Sequence, residues 1–279
     1  MGVKIIVDST VDLPLHVKAR VKAVPLSVRF EDEEFLDGVT ISAETFYEKL
    51  KDSETLPTTS QPTPASFEDA YREAVEAGHE VLCITISSKL SGTYQSATIA
   101  AEEFPGKVFV ADSRTAALAS GVLTEYALQL ADTGMGAEEI LQKLIQERNK
   151  VRLYAIVDTL EYLKKGGRLS SAVAVVGGML NIKPVICVDE AGEIKVAGTA
   201  RGMKKAYALL DQLCGENGGV DNTKPILLGY SGTSSENLSK YLTESSCEWA
   251  ADTNTAIVGA AIGVHAGPGA VAAAFFSKG

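Results

Sequence analysis

The chain has 279 residues, 46% of them hydrophobic and 22% charged, with a formal net charge of −10 and a pI near 4.9. That length suggests two ordinary domains, and the apolar content supplies real cores and excludes global disorder. The acidic balance excludes a non-specific grip on nucleic acid or an anionic membrane, which needs clustered lysine and arginine.

The chain opens MGVKIIVDST, an apolar run that goes straight into a strand pattern rather than a secretory leader. Residues 3–7 read as the first strand, and its polar end, Asp8, Ser9 and Thr10, is either a cap and turn or the ligand side of an open α/β sheet. Residues 24–30 and 33–37 read as a hairpin with an acidic tip, a small flap within about residues 22–38. Residues 42–51 carry a helical pattern opened by a serine cap. Leu56 to Pro64 holds three prolines and four hydroxyl side chains, so it is neither regular helix nor strand throughout. Ser66 opens the next helix, which closes at Gly78.

The central stretch is VLCITISSKLSGTYQSA, residues 81–97. An apolar, β-branched run turns through Ser91-Gly92-Thr93 into a helix. Ser91 and Thr93 either cap that helix or, with the free amides of its first turn, form an anion site. The hydroxyl-rich loop one helix upstream, with Thr59 and Ser60, is placed to converge on the same oxygen-bearing ligand. A strand at 108–111, an alanine-rich helix at 115–131 and an amphipathic helix at 137–149 follow. The alternation of strand and helix predicts a parallel sheet covered on both faces, ending near residue 150.

The second half mixes hairpins with helices and reads as α+β with a mixed sheet. A strand is expected at 151–157, and Lys164-Lys165-Gly166-Gly167-Arg168 is either a solvated helix end or a place that meets phosphate or an acidic partner. An apolar helix is expected at 171–180 and a hairpin from 183–188 with 193–197. Arg201 follows, then helices at 203–213 and 235–244 flank a strand at 225–230. The uncharged run 255–276 is interrupted by His265, Gly267, Pro268 and Gly269, so it is expected not to span a membrane but to form a last strand pair, 255–264 with 269–276. His265, at the predicted strand end, is either a satisfied structural residue or a ligand contact.

Cys83, Cys187, Cys214 and Cys247 are dispersed, with no CxxC pair and no histidine at metal-ligand spacing. Buried thiols, no metal and a cytoplasmic location are expected. No glycine-rich loop followed by Lys-Ser/Thr occurs, and GGMLN lacks the dinucleotide spacing, so no cofactor is expected.

The segments DSTVDLP, VPLSVRFEDEEFLDG, TTSQPTP, SSKLSGTYQSA, VADS, LEYLKKGGRLS, LNIKPVICVDEAGEIKVAGTARG and IGVHAGPGA, in this order over almost the whole chain, resemble the DegV family of bacterial lipid-binding proteins. That family includes the fatty-acid-binding subunit of bacterial fatty acid kinase. The resemblance implies two domains, here 1–150 and 151–279, enclosing one long-chain fatty acid, with no catalysis by the chain itself. It implies that Thr59, Ser60, Ser91, Gly92, Thr93 and His265 hold the carboxylate, and that Arg168 and Arg201 handle phosphate or contact the kinase catalytic subunit.

A sixteen-carbon chain taken out of water gains about 12 kcal/mol gross at about 0.8 kcal/mol per methylene, so an apolar tunnel suffices for tight binding. Val173, Val176, Met179, Leu180, Ile182, Ile194, Ile262 and Val264 are candidates for its wall. The rival reading is a serine hydrolase acting on acyl esters, with Ser91, His265 and Asp8, or with Ser231 in Gly229-Tyr-Ser231-Gly-Thr. Thr233 replaces the second glycine of a nucleophile elbow, and KLSGT lacks the first.

Overall fold

The computed structural model describes residues 2–169, 181–251 and 253–279. In chain order the strands are β1 (Val3–Asp8), β2 (Lys22–Val24), β3 (Ser27–Phe30), β4 (Glu33–Leu36), β5 (Thr58–Ser60), β6 (Glu80–Thr85), β7 (Val108–Asp112), β8 (Val151–Ile156), β9 (Ile182–Val188), β10 (Ile194–Arg201), β11 (Ile226–Tyr230), β12 (Asn254–Ile257) and β13 (Val271–Phe276). The described α-helices are α1 (Leu15–Lys18), α2 (Ala43–Asp52), α3 (Pro64–Glu76), α4 (Thr93–Ala101), α5 (Ala117–Asp132), α6 (Ala137–Glu147), α7 (Glu161–Lys165), α8 (Met203–Gly215), α9 (Glu236–Glu244) and α10 (Ala260–Ala266). The apolar helix expected at 171–180 lies outside the described residues.

Three sheets result. A four-stranded sheet runs β2-β1-β6-β7, all parallel. A six-stranded mixed sheet runs β10-β9-β8-β13-β11-β12, in which only β11 and β12 are parallel. β4-β3-β5 form a small antiparallel sheet. The α/β first half and mixed second half therefore follow the sequence reading.

Local chemistry explains the element ends. Ser42 caps α2 by accepting from the Thr45 amide, and Thr63 caps α3, whose first residue is Pro64 rather than Ser66. A proline suits that place because its missing N–H would be unpaired anyway. α5 is small and apolar nearly all round, from Ala117 to Leu128, which is the pattern of a helix buried on all sides. It packs between the four-stranded sheet (β1, β6) and the six-stranded sheet (β8, β11, β13), and one continuous core spans both.

Two expectations are corrected. Residues 24–30 are not one strand: β2 ends at Val24 in the parallel sheet, Pro25 intervenes, and β3 begins the hairpin at Ser27. Proline removes a ladder donor, so it falls where the chain leaves one sheet for another. Residues 255–264 are likewise not a strand paired with 269–276. β12 stops at Ile257, α10 follows, and β12 and β13 each pair with β11 instead. No described helix is long and apolar enough to cross a membrane.

α10 sits against α2 so closely that a Cβ on Gly263 would lie 2.6 Å from Phe46 Cε1 and 2.7 Å from Tyr47 Oη. Gly263→Ala should therefore destabilise the fold by about 1–3 kcal/mol through overpacking, read by denaturant unfolding. An unchanged midpoint would contradict this packing.

Candidate functional site

Between the two larger sheets lies an apolar cavity which, with its mouth, encloses about 900 Å³. Its floor is one face of β8, β9 and β13, with Leu153, Ala155, Val157, Ile186, Val188 and Ala272 pointing inward at the two-residue period of a strand. Its other wall comes from the segments after β1, β6 and β7: Thr10, then Ile86, Leu90 and Ser91, then Ala116 and Ala117 at the start of α5. The carboxyl ends of parallel strands are where open α/β sheets receive ligands. Thr59 and α10, through Ala261, Ile262, His265 and Ala266, close one end. From Val157 to Leu153 the floor runs roughly 13 Å at the rise of a strand.

The polar groups on this lining are few: Thr10, Thr59, Ser91, Arg168 and His265. His265 is in the last turn of α10, not at a strand end. Its Nε2 lies 3.1 Å from Thr59 Oγ1, and its buried Nδ1 has no hydrogen-bond partner. The ring lies over Gly166, where a Cβ would stand 2.2 Å from Nδ1, so α7's end can only pass the imidazole as glycine. Burial first, then the nearby Arg168 guanidinium, lowers the His265 pKa from 6.5 to about 4. At neutral pH it is an uncharged imidazole. Arg168 donates from Nε to Leu90 O at 3.2 Å and from Nη1 to Gly166 O at 2.6 Å, tying the glycine turn to the loop after β6.

The remaining expected residues separate by face. On β5, Thr59 is half-buried on the cavity while Thr58 and Ser60 are exposed, as alternation along a strand requires. Ser91 Oγ lies 2.8 Å from Thr93 Oγ1 and accepts from the Thr93 amide. Thr93 is fully buried. Gly92 is covered by Gln61, whose Oε1 would be 2.1 Å from a Cβ there and whose Nε2 donates to Ser96 Oγ at 2.9 Å. Arg201 is exposed at the end of β10 and does not line the cavity. Of the eight expected wall residues, Ile194 and Ile262 line the cavity and Ile182 and Val264 do not; Val173, Val176, Met179 and Leu180 fall outside the described residues.

Sequence reasoning missed Gln61, while Thr10 belongs to the Asp8-Ser9-Thr10 strand end for which a turn and a ligand side were both open, and it lines the cavity. Thr10 is placed by Asp8, a buried carboxylate that accepts from the Thr10 amide and hydroxyl and, at 2.8 Å, from the Ile86 amide. Burial raises its pKa.

Among the described residues the candidate hydrolase groups do not assemble into a triad. His265 bonds Thr59 and Ser91 bonds Thr93, while Asp8 is committed to Thr10 and Ile86. Ser231 Oγ donates to Gly267 O and accepts from the Ala270 amide, a structural staple of the turn before β13. Among the described residues no group of three or more His, Cys, Asp or Glu could hold a metal ion.

The family model of the DegV family of uncharacterised proteins matches residues 2–278. This chain belongs to the DegV family. A DegV domain-containing protein of Deinococcus radiodurans is 38% identical over 280 residues, covering 98% of each chain. A solved DegV family protein from Thermus thermophilus, described by its fatty acid binding, superposes with a TM-score of 0.85 at 34% identity, covering 99% of this chain and 100% of that one. DegV of Bacillus subtilis, described as a fatty acid binding protein, superposes with a TM-score of 0.82 at 30% identity over 100% of both chains.

Proposed function

We propose that this chain holds one long-chain fatty acid between an N-terminal unit, residues 1–150, and a C-terminal unit, residues 151–279. Its carboxylate lies at the Thr59, Ser91 and His265 end. One observation carries the reading: an apolar cavity closed at one end by a half-buried, uncharged imidazole paired with Thr59, flanked by hydroxyls and one guanidinium. Burying a carboxylate requires donors in place of water, and a neutral imidazole N–H, hydroxyls and Arg168 supply them. Ser60, Gly92 and Thr93 support the loop and turn from outside the lining. The related structures described by their fatty acid binding support the ligand class.

On this reading the chain binds the fatty acid and makes no bonds itself, which the relatives described by their fatty acid binding support. It acts in the cytoplasm, a location its four free thiols suit. There it presents the carboxylate to a fatty acid kinase catalytic subunit for acyl phosphate formation. A fluorescent fatty acid should saturate one site per chain and be displaced by palmitate but not by its methyl ester. Equal displacement by both would remove the head-group site.

Arg201, outside the cavity, should act at the kinase step alone. With the kinase subunit and ATP, Arg201→Ala should retain the lipid yet lower acyl phosphate formation at least tenfold, whereas Arg168→Ala should lower both. Lipid loss in Arg201→Ala would place that arginine in the fatty acid site instead.

A further inference from the structure

Three of the eight arginines in this acidic chain, Arg114, Arg148 and Arg152, line one pocket of about 770 Å³ at the edge where α6 ends and β8 begins. Leu153, Cys187 and Val188 line both this pocket and the far end of the apolar cavity, so they form a partition between the two. The pocket is therefore at the opposite end of the β8 floor from His265.

Among the described residues none of the three arginines forms a salt bridge, although Asp112 partly offsets Arg148 and Asp189 and Glu190 also line the pocket. Arg148 donates from Nη1 to Asp112 O at 2.7 Å, but its buried Nε has no hydrogen-bond partner. Arg152 spends Nη1 on the carbonyls of Asn149 and Val151. Arg114 is exposed and sits at φ 52°, a left-handed backbone that is uncommon for a residue with a Cβ. That conformation is held by its amide donating to Asp112 Oδ1 at 2.9 Å.

Two of the nearby acids, Asp112 and Asp189, are held by other partners. Asp112 takes Ser88 through both carboxylate oxygens, and Asp189 takes the Glu193 amide and faces Lys195. Glu190 is exposed at the β9–β10 turn. Burial first and the like charge of Arg114 second depress the Arg148 pKa, an electrostatic imbalance that an anion relieves.

We propose that the Arg114, Arg148 and Arg152 pocket binds a small oxyanion of the phosphate class from solvent, separately from the fatty acid. Guanidinium groups suit that ligand because their planar forks pair two oxygens at once, and strain held at a non-glycine residue is a mark of functional positions. The bound oxyanion accepts from the guanidinium groups of Arg114, Arg148 and Arg152 that line the pocket.

Inorganic phosphate is the probe, titrated calorimetrically into the purified protein. Saturable one-site binding is expected, weakened at least tenfold in Arg148→Gln and in Arg114→Gln. It should be unchanged in Arg29→Gln, which alters an arginine paired with Glu34 on the hairpin. Arg114, being exposed, keeps the test alive if Arg148→Gln fails to fold. Fatty acid retention should be the same in Arg114→Gln as in the parent. No saturable phosphate binding by the parent protein, or equal affinity in Arg114→Gln and the parent, would overturn the proposal.

Discussion

Alanine at His265 should weaken fatty acid binding by ten- to a hundredfold, because it removes a hydrogen bond to a charged group, worth about 1.5–3 kcal/mol. Thr59→Ala, which leaves the imidazole but frees its Nε2, should lose less, about tenfold at most. Both are read by displacement of a fluorescent fatty acid, and unchanged retention in both would remove these residues from the head-group site.

The same imidazole sets a pH dependence. Its folded-state pKa, about 4, is below its ordinary value of 6.5, so between those limits the unfolded chain binds more protons than the folded one. Stability of the lipid-free protein is then fully present above the upper limit and falls as pH drops through the lower one. The loss is about 3 kcal/mol at 1.36 kcal/mol per pH unit. His265→Gln should flatten that part of the profile; an unaltered acid slope would assign it to other groups.

Removing the carboxylate of Asp37 should destabilise the protein by about 2–3 kcal/mol and lower Tm by about 4–10 °C. Asp37 is 5% exposed, and its two oxygens accept from the amides of Ala260 and Ala261 at 3.1 and 3.2 Å, the otherwise unpaired start of α10. Asp12 completes the cap by accepting from the Gly259 amide at 2.8 Å. In Asp37→Ala two buried N–H groups lose their partners, and the helix that carries His265 is loosened. Fatty acid retention should therefore drop although Asp37 does not line the cavity. Asp37→Asn, which keeps one acceptor oxygen, should lose less; equal retention in Asp37→Ala and the parent would show that α10 holds His265 without this cap.

That long-range cap explains why α10 was not legible in the sequence. Ala260 to Ala266 is short, apolar and rich in small residues, with neither a polar N-cap nor a clear period. It reads as the continuation of a buried strand. The groups that make it helical come from the β4 end and the β1–α1 turn, more than 200 residues earlier in the chain. The first half was legible for the opposite reason. Buried parallel strands such as β6 are continuous apolar runs, and the segments after them carry their own polar signals.

The site was legible in part. Thr59, Ser91, Arg168 and His265 do meet on one cavity, but Ser60 could have been set aside by the alternation of a three-residue strand. Gly92 reads as an approach point for a ligand, whereas it is Gln61, three residues beyond the strand's first threonine, that lies against it. Side chains that fill such gaps are chosen by packing between distant segments, which carries no local signature.

Native mass spectrometry of the purified protein, followed by denaturation and identification of what is released, tests the central reading most directly. One fatty acid per chain, freed intact on unfolding, is the expected result and would also give its length. A protein that stays empty when supplied with fatty acid, or one that carries a covalent acyl group on Ser91 or Ser231, would contradict it.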